Sequence, residues 1–187
     1  HMSVQGKDFT SRVTVADGAW CTELDKLGCP PGYCREEWNI SQPDRVRQVA
    51  EAYVAAGAQI ILTNTFSGNR ITLAKHGHGE EVRAFNRAGA EISKQAAAGK
   101  ALVFGSIGPT GKMVMMGEIG EDELYEVFKE QATALAEGGA DALVLETMTE
   151  LAEVCAAVQA AKGTGLAVAA SMTYDSGKDK TSTMMGV

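Results

Sequence analysis

Basic residues are scarce in this chain: 17 lysines and arginines stand against 24 aspartates and glutamates, and the formal net charge is −7. Nucleic-acid phosphates are bound by clustered basic side chains, so this balance argues against a nucleic-acid partner. No apolar run approaches the length that crosses a bilayer, and no secretory signal is visible. We therefore expect no membrane partner either.

Cysteine is also scarce, and its spacing excludes two kinds of site. The four cysteines are Cys21, Cys29, Cys34 and Cys155. They do not form a disulfide framework, which indicates a reducing, cytoplasmic compartment. They also lack the C-x-x-C spacing of compact zinc sites, so we expect no metal ligands among them. Cys155 lies in an apolar helical stretch and is predicted to be a core residue.

Nucleotide-binding glycine patterns are missing as well. The first predicted strand ends at Asp17-Gly18 with no G-x-G-x-x-G pattern after it. The segment SIGPTGK, residues 106–112, has Ser106 in place of the first glycine of a phosphate-binding loop, and Pro109 lacks an N–H. We interpret this segment as a rigid turn. The predicted strands carry no interior lysine, which argues against an aldolase that uses a Schiff base.

Two segments that are present resemble each other closely. Residues 52–66 read AYVAAGAQIILTNTF, and residues 134–148 read ALAEGGADALVLETM. Each has an apolar helix end, a turn of small residues, an apolar run and then a polar cluster. This order predicts a helix followed by a buried parallel strand with polar groups at its C-terminal end. In α/β barrels and doubly wound sheets, that end of the strand carries the chemistry.

The alternation of strand and helix extends along the whole chain. The predicted strands cover residues 12–16, 59–62, 101–105, 142–145 and 166–170, and the predicted helices cover residues 44–56, 80–98, 121–137 and 150–162. A loop or short helix is expected over residues 21–39. This is the pattern of an α/β fold with parallel strands. An open doubly wound sheet and a (β/α)8 TIM barrel both fit, and polar residues at every strand end favour the barrel, of which this chain would cover roughly the first five βα units.

Polar side chains follow each predicted strand. They are Asp17, Thr63-Asn64-Thr65, Ser106, Glu146-Thr147 and Ser171. Either they mark where the strands leave the core, or they converge on one site. Two carboxylates with hydroxyl and amide groups suit a small zwitterion, whose ammonium group the carboxylates would bind. Glu146 is the strongest candidate, because a carboxylate directly after a buried apolar run is costly unless it is partnered.

Several motifs occur in an order that resembles a known family. They are DGAWCTEL (17–24), EEWNISQPDRV (36–46), YVAAGAQIILTNTFSGNRITL (53–73), GSIGPTG (105–111), EGGADALVLETM (137–148) and Met172-Thr173. Together they resemble the homocysteine S-methyltransferase family, which includes betaine–homocysteine methyltransferase and the homocysteine-binding module of cobalamin-dependent methionine synthase. TNTF and LET at successive strand ends are the most specific part of this resemblance.

The resemblance implies a fold, a reaction and a set of binding residues. The fold is a (β/α)8 barrel, and the reaction transfers a methyl group to the thiol of homocysteine, which zinc activates as a thiolate, to form methionine. The methyl donor stays open among onium compounds and a methylated corrinoid or folate on a partner protein. The substrate-binding residues implied by position are Asp17 and Glu146 for the amino group, Gly18, Thr63 and Asn64 for the pocket lining, and Ser106 and Gly108 for its floor or wall.

The chain departs from the family pattern in two respects. Cys21 stands where the family usually has glycine, and the family's zinc cysteines, on its sixth and eighth strands, have no counterpart here. We therefore interpret residues 11–187 as the N-terminal part of a family barrel that lacks its C-terminal strands, and residues 1–10 as an extension that begins with a cloning remnant. The open strand edges of such a part predict that the isolated chain either self-associates or needs its missing part. The alternative is a non-catalytic module that binds a thiol amino acid or a corrinoid partner.

Overall fold

The computed structural model describes residues 13–187 of the chain. The predicted extension over residues 1–10, and Arg12 at the start of the first predicted strand, lie outside this range. Within it, helices and strands alternate. The helices are α1 (Trp20–Lys26), α2 (Trp38–Ser41), α3 (Pro43–Ala55), α4 (Arg70–Ala74), α5 (Val82–Ala97), α6 (Glu121–Glu137) and α7 (Leu151–Lys162), with a 3-10 turn at Arg35–Glu37. The strands are β1 (Ile60–Leu62), β2 (Leu102–Ile107), β3 (Ala142–Met148) and β4 (Ala167–Met172).

The four strands form one parallel sheet in which each strand pairs with the next along the chain. This sequential order is that of a βα barrel, whereas a doubly wound sheet reverses direction at a switch point. The predicted barrel class is therefore confirmed, and the chain forms a part of such a barrel. No helix within residues 13–187 is long and apolar enough to cross a membrane.

The first predicted strand is much shorter than expected. Ala16 forms a single parallel bridge with Ile60, and the carbonyl of Val15 accepts hydrogen bonds from the amides of Gln59 and Ile60. Val13 and Val15 are exposed by 92% and 59%. Because their side chains are not packed, the pairing is limited to the one residue that meets β1. The predicted loop or short helix over residues 21–39 is mostly helical.

The sheet is buried on both faces at its centre and open at its edge. Every residue of β2 is buried, whereas β4 is only half-buried or exposed along its length. Helices α6 and α7 cover one face through a large apolar cluster that includes Phe128, Leu135 and Leu143. A smaller cluster that includes Ile60, Leu102 and Phe104 lies on the other face. The apolar runs of the sequence match this two-sided burial.

The prediction that Cys155 belongs to the core is wrong. Cys155 is exposed, although Val154 and Ala157 of the same helix are buried. Leu151, Cys155 and Gln159 are spaced by four residues, so they share the outer face of α7. The outer face of α7 also carries an apolar residue, the exposed Leu151, so the apolar pattern of the helix did not show which face points outward.

The two similar segments of the sequence fold in the same way where each helix turns into its strand. Gly57 follows α3 with a φ of +95°, and Gly139 follows α6 with a φ of +89°. The next amide in each case bonds back into the helix, from Ala58 to the carbonyl of Tyr53 and from Ala140 to that of Leu135. This is a helix stop that glycine makes without strain. It explains the small-residue turn that both segments share.

Candidate active site

A cavity of about 410 Å³ opens at the C-terminal ends of the strands. Its walls come from the residues 18–21 at the start of α1, residues 32–36, and residues 62–67 after β1, while Ser106 of β2 and Glu146 of β3 reach it from the sheet. The carboxyl ends of parallel strands are where βα barrels place their sites. The cavity is therefore the candidate functional site of the chain.

Asp17 lies beside this cavity with one carboxylate oxygen unsatisfied. Its Oδ2 accepts hydrogen bonds from the Leu62 amide at 2.7 Å and from the Trp20 indole at 2.8 Å. Its Oδ1 is buried and has no hydrogen-bond partner within the described range. Burial raises the pKa of Asp17, and the nearby charge of Glu146 raises it further. The unsatisfied oxygen and the second carboxylate together favour a cationic ligand group.

Glu146 projects from β3 into the cavity and is paired with a neighbouring strand. Its Oε1 accepts a hydrogen bond of 2.5 Å from the Ser106 hydroxyl on β2. The side chain is half-buried, and no residue within 13–187 donates to its second oxygen. That oxygen is therefore available to a ligand in the cavity.

Thr63 and Thr65 join the loop after β1 to the neighbouring strand. The Thr65 hydroxyl donates to the carbonyl of Ser106 at 2.8 Å, so the Thr63 hydroxyl must be the donor in the 2.5 Å bond between the two threonines. Thr63 then accepts from the Ser106 amide at 3.0 Å. These bonds use the only hydroxyl donor of each threonine. Their hydroxyls hold the cavity wall in place.

Asn64 ties the same loop to residues 35–39. Its side-chain amide donates to the Arg35 carbonyl at 2.7 Å and to Asn39 Oδ1 at 2.9 Å. Asn39 in turn donates to the Asn64 carbonyl at 2.8 Å. Both side chains are buried, so this pair fixes the position of the loop that carries Glu36. Asn39 was not among the predicted site residues, because its partner lies 25 positions away in the sequence.

Glu36 and Cys34 form a buried acid–thiol pair in the cavity wall. Glu36 is 5% exposed, and its Oε1 accepts from the Ser67 amide at 2.8 Å, while the Cys34 sulfur lies 3.7 Å from Oε2. Burial raises the pKa of Glu36. Burial, followed by the Glu36 charge, raises the pKa of Cys34 to about 11. The sequence offered only an acidic pair at Glu36-Glu37 as a signal, and neither residue was a predicted site residue.

The Glu36→Gln variant is expected to be more stable than the wild type in alkali but not in acid. The pKa of Glu36 is raised in the folded state, so the folded chain holds the proton more tightly than the unfolded chain. The contribution of Glu36 to wild-type stability therefore falls as the pH rises from the unfolded pKa, near 4.5, through the raised folded value. Glutamine keeps an oxygen for the Ser67 amide and carries no charge.

Thermal unfolding at about pH 4 and about pH 8 measures this effect, with the exposed Glu51→Gln as the matched control. We expect the melting temperature of Glu36→Gln to exceed that of the wild type at about pH 8 only. The control Glu51→Gln should have the melting temperature of the wild type at both pH values. A gain of equal size at both pH values would contradict the assignment.

The structure brings most of the predicted site residues together. Those that line the cavity are Gly18, Thr63, Asn64, Ser106 and Glu146. Asp17 is not a lining residue but directly precedes Gly18 in the sequence. Gly108 lies behind it, because a Cβ there would come within 2.6 Å of the Phe66 ring, which lines the cavity. Gly108 thus shapes the wall through Phe66.

The described residues do not fit zinc. No group of three histidine, cysteine, aspartate or glutamate side chains within residues 13–187 is arranged to hold a metal ion. Two cysteines line the cavity, Cys21 and Cys34, and neither belongs to such a group. Zinc sites in proteins take three or four side-chain ligands. The donor set of this part of the chain is therefore unsuited to the metal.

Parallel βα units in chain order, with a cavity lined by carboxylates and hydroxyls at the strand ends, define a βα-barrel protein. The chain belongs to the homocysteine S-methyltransferase family, whose family model matches residues 14–187. This confirms the resemblance seen in the sequence motifs.

Its relatives include longer enzymes. The chain is 31% identical over 163 residues to methionine synthase of Mycobacterium leprae, covering 80% of the chain and 13% of that enzyme. It is 29% identical over 172 residues to betaine–homocysteine S-methyltransferase 1 of Sus scrofa, covering 87% and 60%. The metallated homocysteine methyltransferase MmuM of Escherichia coli superposes with a TM-score of 0.79 at 23% identity, covering 95% of this chain and 68% of MmuM. That structural likeness supports the fold.

Proposed function

We propose that this chain binds the amino-acid end of homocysteine for transfer of a methyl group to its thiol, which forms methionine. Membership of the family supports the reaction class. The observation that carries the proposal is the unsatisfied Oδ1 of Asp17 beside the cavity that Glu146 enters. Two carboxylates in this arrangement suit a cationic ligand group.

An α-ammonium group would satisfy both carboxylates. The charge of Glu146 raises the pKa of Asp17, so the two groups repel each other when the cavity holds no cation. An ammonium group carries three donors and one positive charge, and it would make charge-assisted hydrogen bonds with both residues. Ser106 holds one oxygen of Glu146 and leaves the other for the ligand. The thiol end of the substrate would then extend into the remaining cavity.

Thiol activation is a separate task in this proposal. The described residues do not fit zinc, so activation by a metal requires ligands from outside residues 13–187. The residues of this chain bind and orient the amino acid. The same observation favours the alternative function, a module that binds a thiol amino acid without turnover. The two functions share the ammonium site and differ in whether methionine is formed.

The cavity also favours one class of methyl donor. Trp20, Tyr33 and Phe66 line it together with Glu36 and Glu146. Aromatic faces and carboxylates attract onium cations, whose positive charge is spread over methyl groups. We therefore favour a sulfonium or quaternary ammonium donor over a corrinoid partner protein.

Calorimetry with two thiols tests the ammonium site. Homocysteine is compared with 4-mercaptobutanoate, which has the same chain length, carboxylate and thiol but no ammonium group. We expect the second ligand to bind roughly 10- to 100-fold more weakly, because a charge-assisted contact with each carboxylate is lost. Homoserine, which keeps the ammonium group and replaces the thiol by a hydroxyl, is the control and should bind more tightly than 4-mercaptobutanoate. Equal affinity for the two thiols would refute the proposal.

A further inference from the structure

Strand β3 contains one residue more than its partner at the point where it reaches the cavity. Leu145 pairs with Ala170 of β4, and the next pair is Met148 with Met172. Three steps along β3 thus correspond to two along β4. This is a β-bulge, which bends a strand locally and redirects side chains.

The side-chain alternation of β3 identifies the extra residue. Leu143 and Leu145 pack in the cluster beneath the helices, and Val144 packs on the opposite face. Glu146 continues this alternation, since it faces the cavity. Regular alternation would place Met148 on the cavity face as well, yet it is fully buried in the helix-side cluster. Thr147 is therefore the inserted residue.

Thr147 has an unfavourable backbone conformation. Its φ is +64°, in the left-handed region that glycine adopts without steric strain and that is sterically unfavourable for a β-branched residue. The side chain is exposed, so packing does not explain why threonine stands there. After its helices the chain uses small residues in the same region, Gly57 after α3, Ala98 after α5 and Gly139 after α6, and none of these is β-branched. Strain of this kind, next to a cavity-lining carboxylate, points to a role in the site.

We propose that Thr147 is a positioning residue that holds the Glu146 carboxylate against Ser106 and the cavity before any ligand binds. A β-branched residue has fewer accessible backbone conformations than glycine, and its own χ1 is restricted, so it stiffens the bulge that carries Glu146. When the Glu146 carboxylate is already ordered, ligand binding does not carry the entropy cost of ordering that side chain. The effect on affinity rests on the proposed function, whereas the effect on the position of Glu146 does not.

The first test needs no ligand. The charge of Glu146 contributes to the raised pKa of Asp17, so Asp17 reports where Glu146 is held. In Thr147→Gly, the freed Glu146 spends less time near Asp17, and the Asp17 pKa measured by carboxyl NMR should move down toward its ordinary value. Thr147→Val keeps the β-branch and removes the hydroxyl, and it should leave that titration unchanged. An unchanged titration in the glycine variant would overturn the proposal.

The second test measures homocysteine affinity and stability together. Thr147→Gly relieves the strained φ and should melt no lower than the wild type, yet bind homocysteine about fivefold more weakly because the turn must be ordered on binding. Thr147→Val should bind like the wild type. Loss of affinity in the valine variant as well would assign the effect to the hydroxyl and overturn the stiffening role.

A parallel measurement on Glu146→Ala separates the two inferences. If the alanine variant loses affinity and Thr147→Gly does not, the ammonium site stands and the positioning role fails. If Glu146→Ala keeps full affinity, the proposed ammonium site fails, and the Asp17 titration alone decides the role of Thr147.

Discussion

Replacement of Glu146 by alanine is expected to reduce homocysteine binding roughly 10- to 100-fold, because hydrogen bonds to charged groups are among the stronger polar contacts. The variant removes one of the two carboxylates of the proposed ammonium site and leaves the Ser106 hydroxyl without its 2.5 Å partner. Asp17 would remain as the only proposed anion for the ammonium group. Its Oδ2 is already committed to Leu62 and Trp20.

Glu146→Gln separates charge from shape. Glutamine keeps an oxygen that accepts from Ser106, so the strand ends should keep their geometry while the negative charge is lost. We expect affinity for homocysteine to fall in both variants and affinity for 4-mercaptobutanoate to change little in the glutamine variant. Calorimetry measures both ligands, with the exposed Glu51→Ala as the control for loss of a surface carboxylate. Unchanged homocysteine affinity in Glu146→Ala would remove Glu146 from the site.

The second large effect concerns the open edge of the sheet. Strand β4 is half-buried or exposed, and its residues, AVAASM, carry no charge and no proline. Such an edge offers unpaired amides and carbonyls to another chain, and natural sheets block it with charged side chains or a covering element. We therefore expect the 187-residue chain to self-associate at micromolar concentrations.

The Ala170→Lys variant tests whether β4 mediates this association. Ala170 is exposed on β4, and a lysine there places a charge on the edge without filling a buried site. Sedimentation velocity across a concentration series should show association of the wild type and roughly tenfold weaker association of the variant. Gln159→Lys on the exposed face of α7 adds the same charge elsewhere and should associate like the wild type. A wild-type chain that sediments as a monomer throughout would contradict the prediction.

Sequence patterns were sufficient for the elements whose burial is periodic or continuous. The strands at 59–62, 101–105, 142–145 and 166–170 were predicted within a few residues of β1 to β4. Strand β3 extends beyond the predicted end, through a bulge to Met148. The bulge could not be predicted, because the insertion of one residue is not visible in a pattern of apolar residues. The strand at 12–16 was overestimated because its β-branched residues are exposed.

Apolar runs also decide which residues of the site can be predicted from the sequence. Asp17, Ser106 and Glu146 could be found because each follows an apolar run, and such positions meet at one edge of a parallel sheet. Glu36 could not be found, because its amide partner, Ser67, belongs to another loop 31 residues away. The strain at Thr147 was equally hidden, since a backbone angle is set by tertiary packing and threonine is an ordinary strand residue.

The order of the strands has a consequence for how the chain is made. Because β1, β2, β3 and β4 lie side by side in the order in which they are translated, each new strand meets a partner that has already left the ribosome. No strand has to wait for a distant segment, and none has to be inserted between two that are already paired. The sheet can therefore grow by one βα unit at a time during synthesis, as domains fold from the N-terminus onward. At each stage of this growth the newest strand is the exposed edge, which is the position that β4 occupies here.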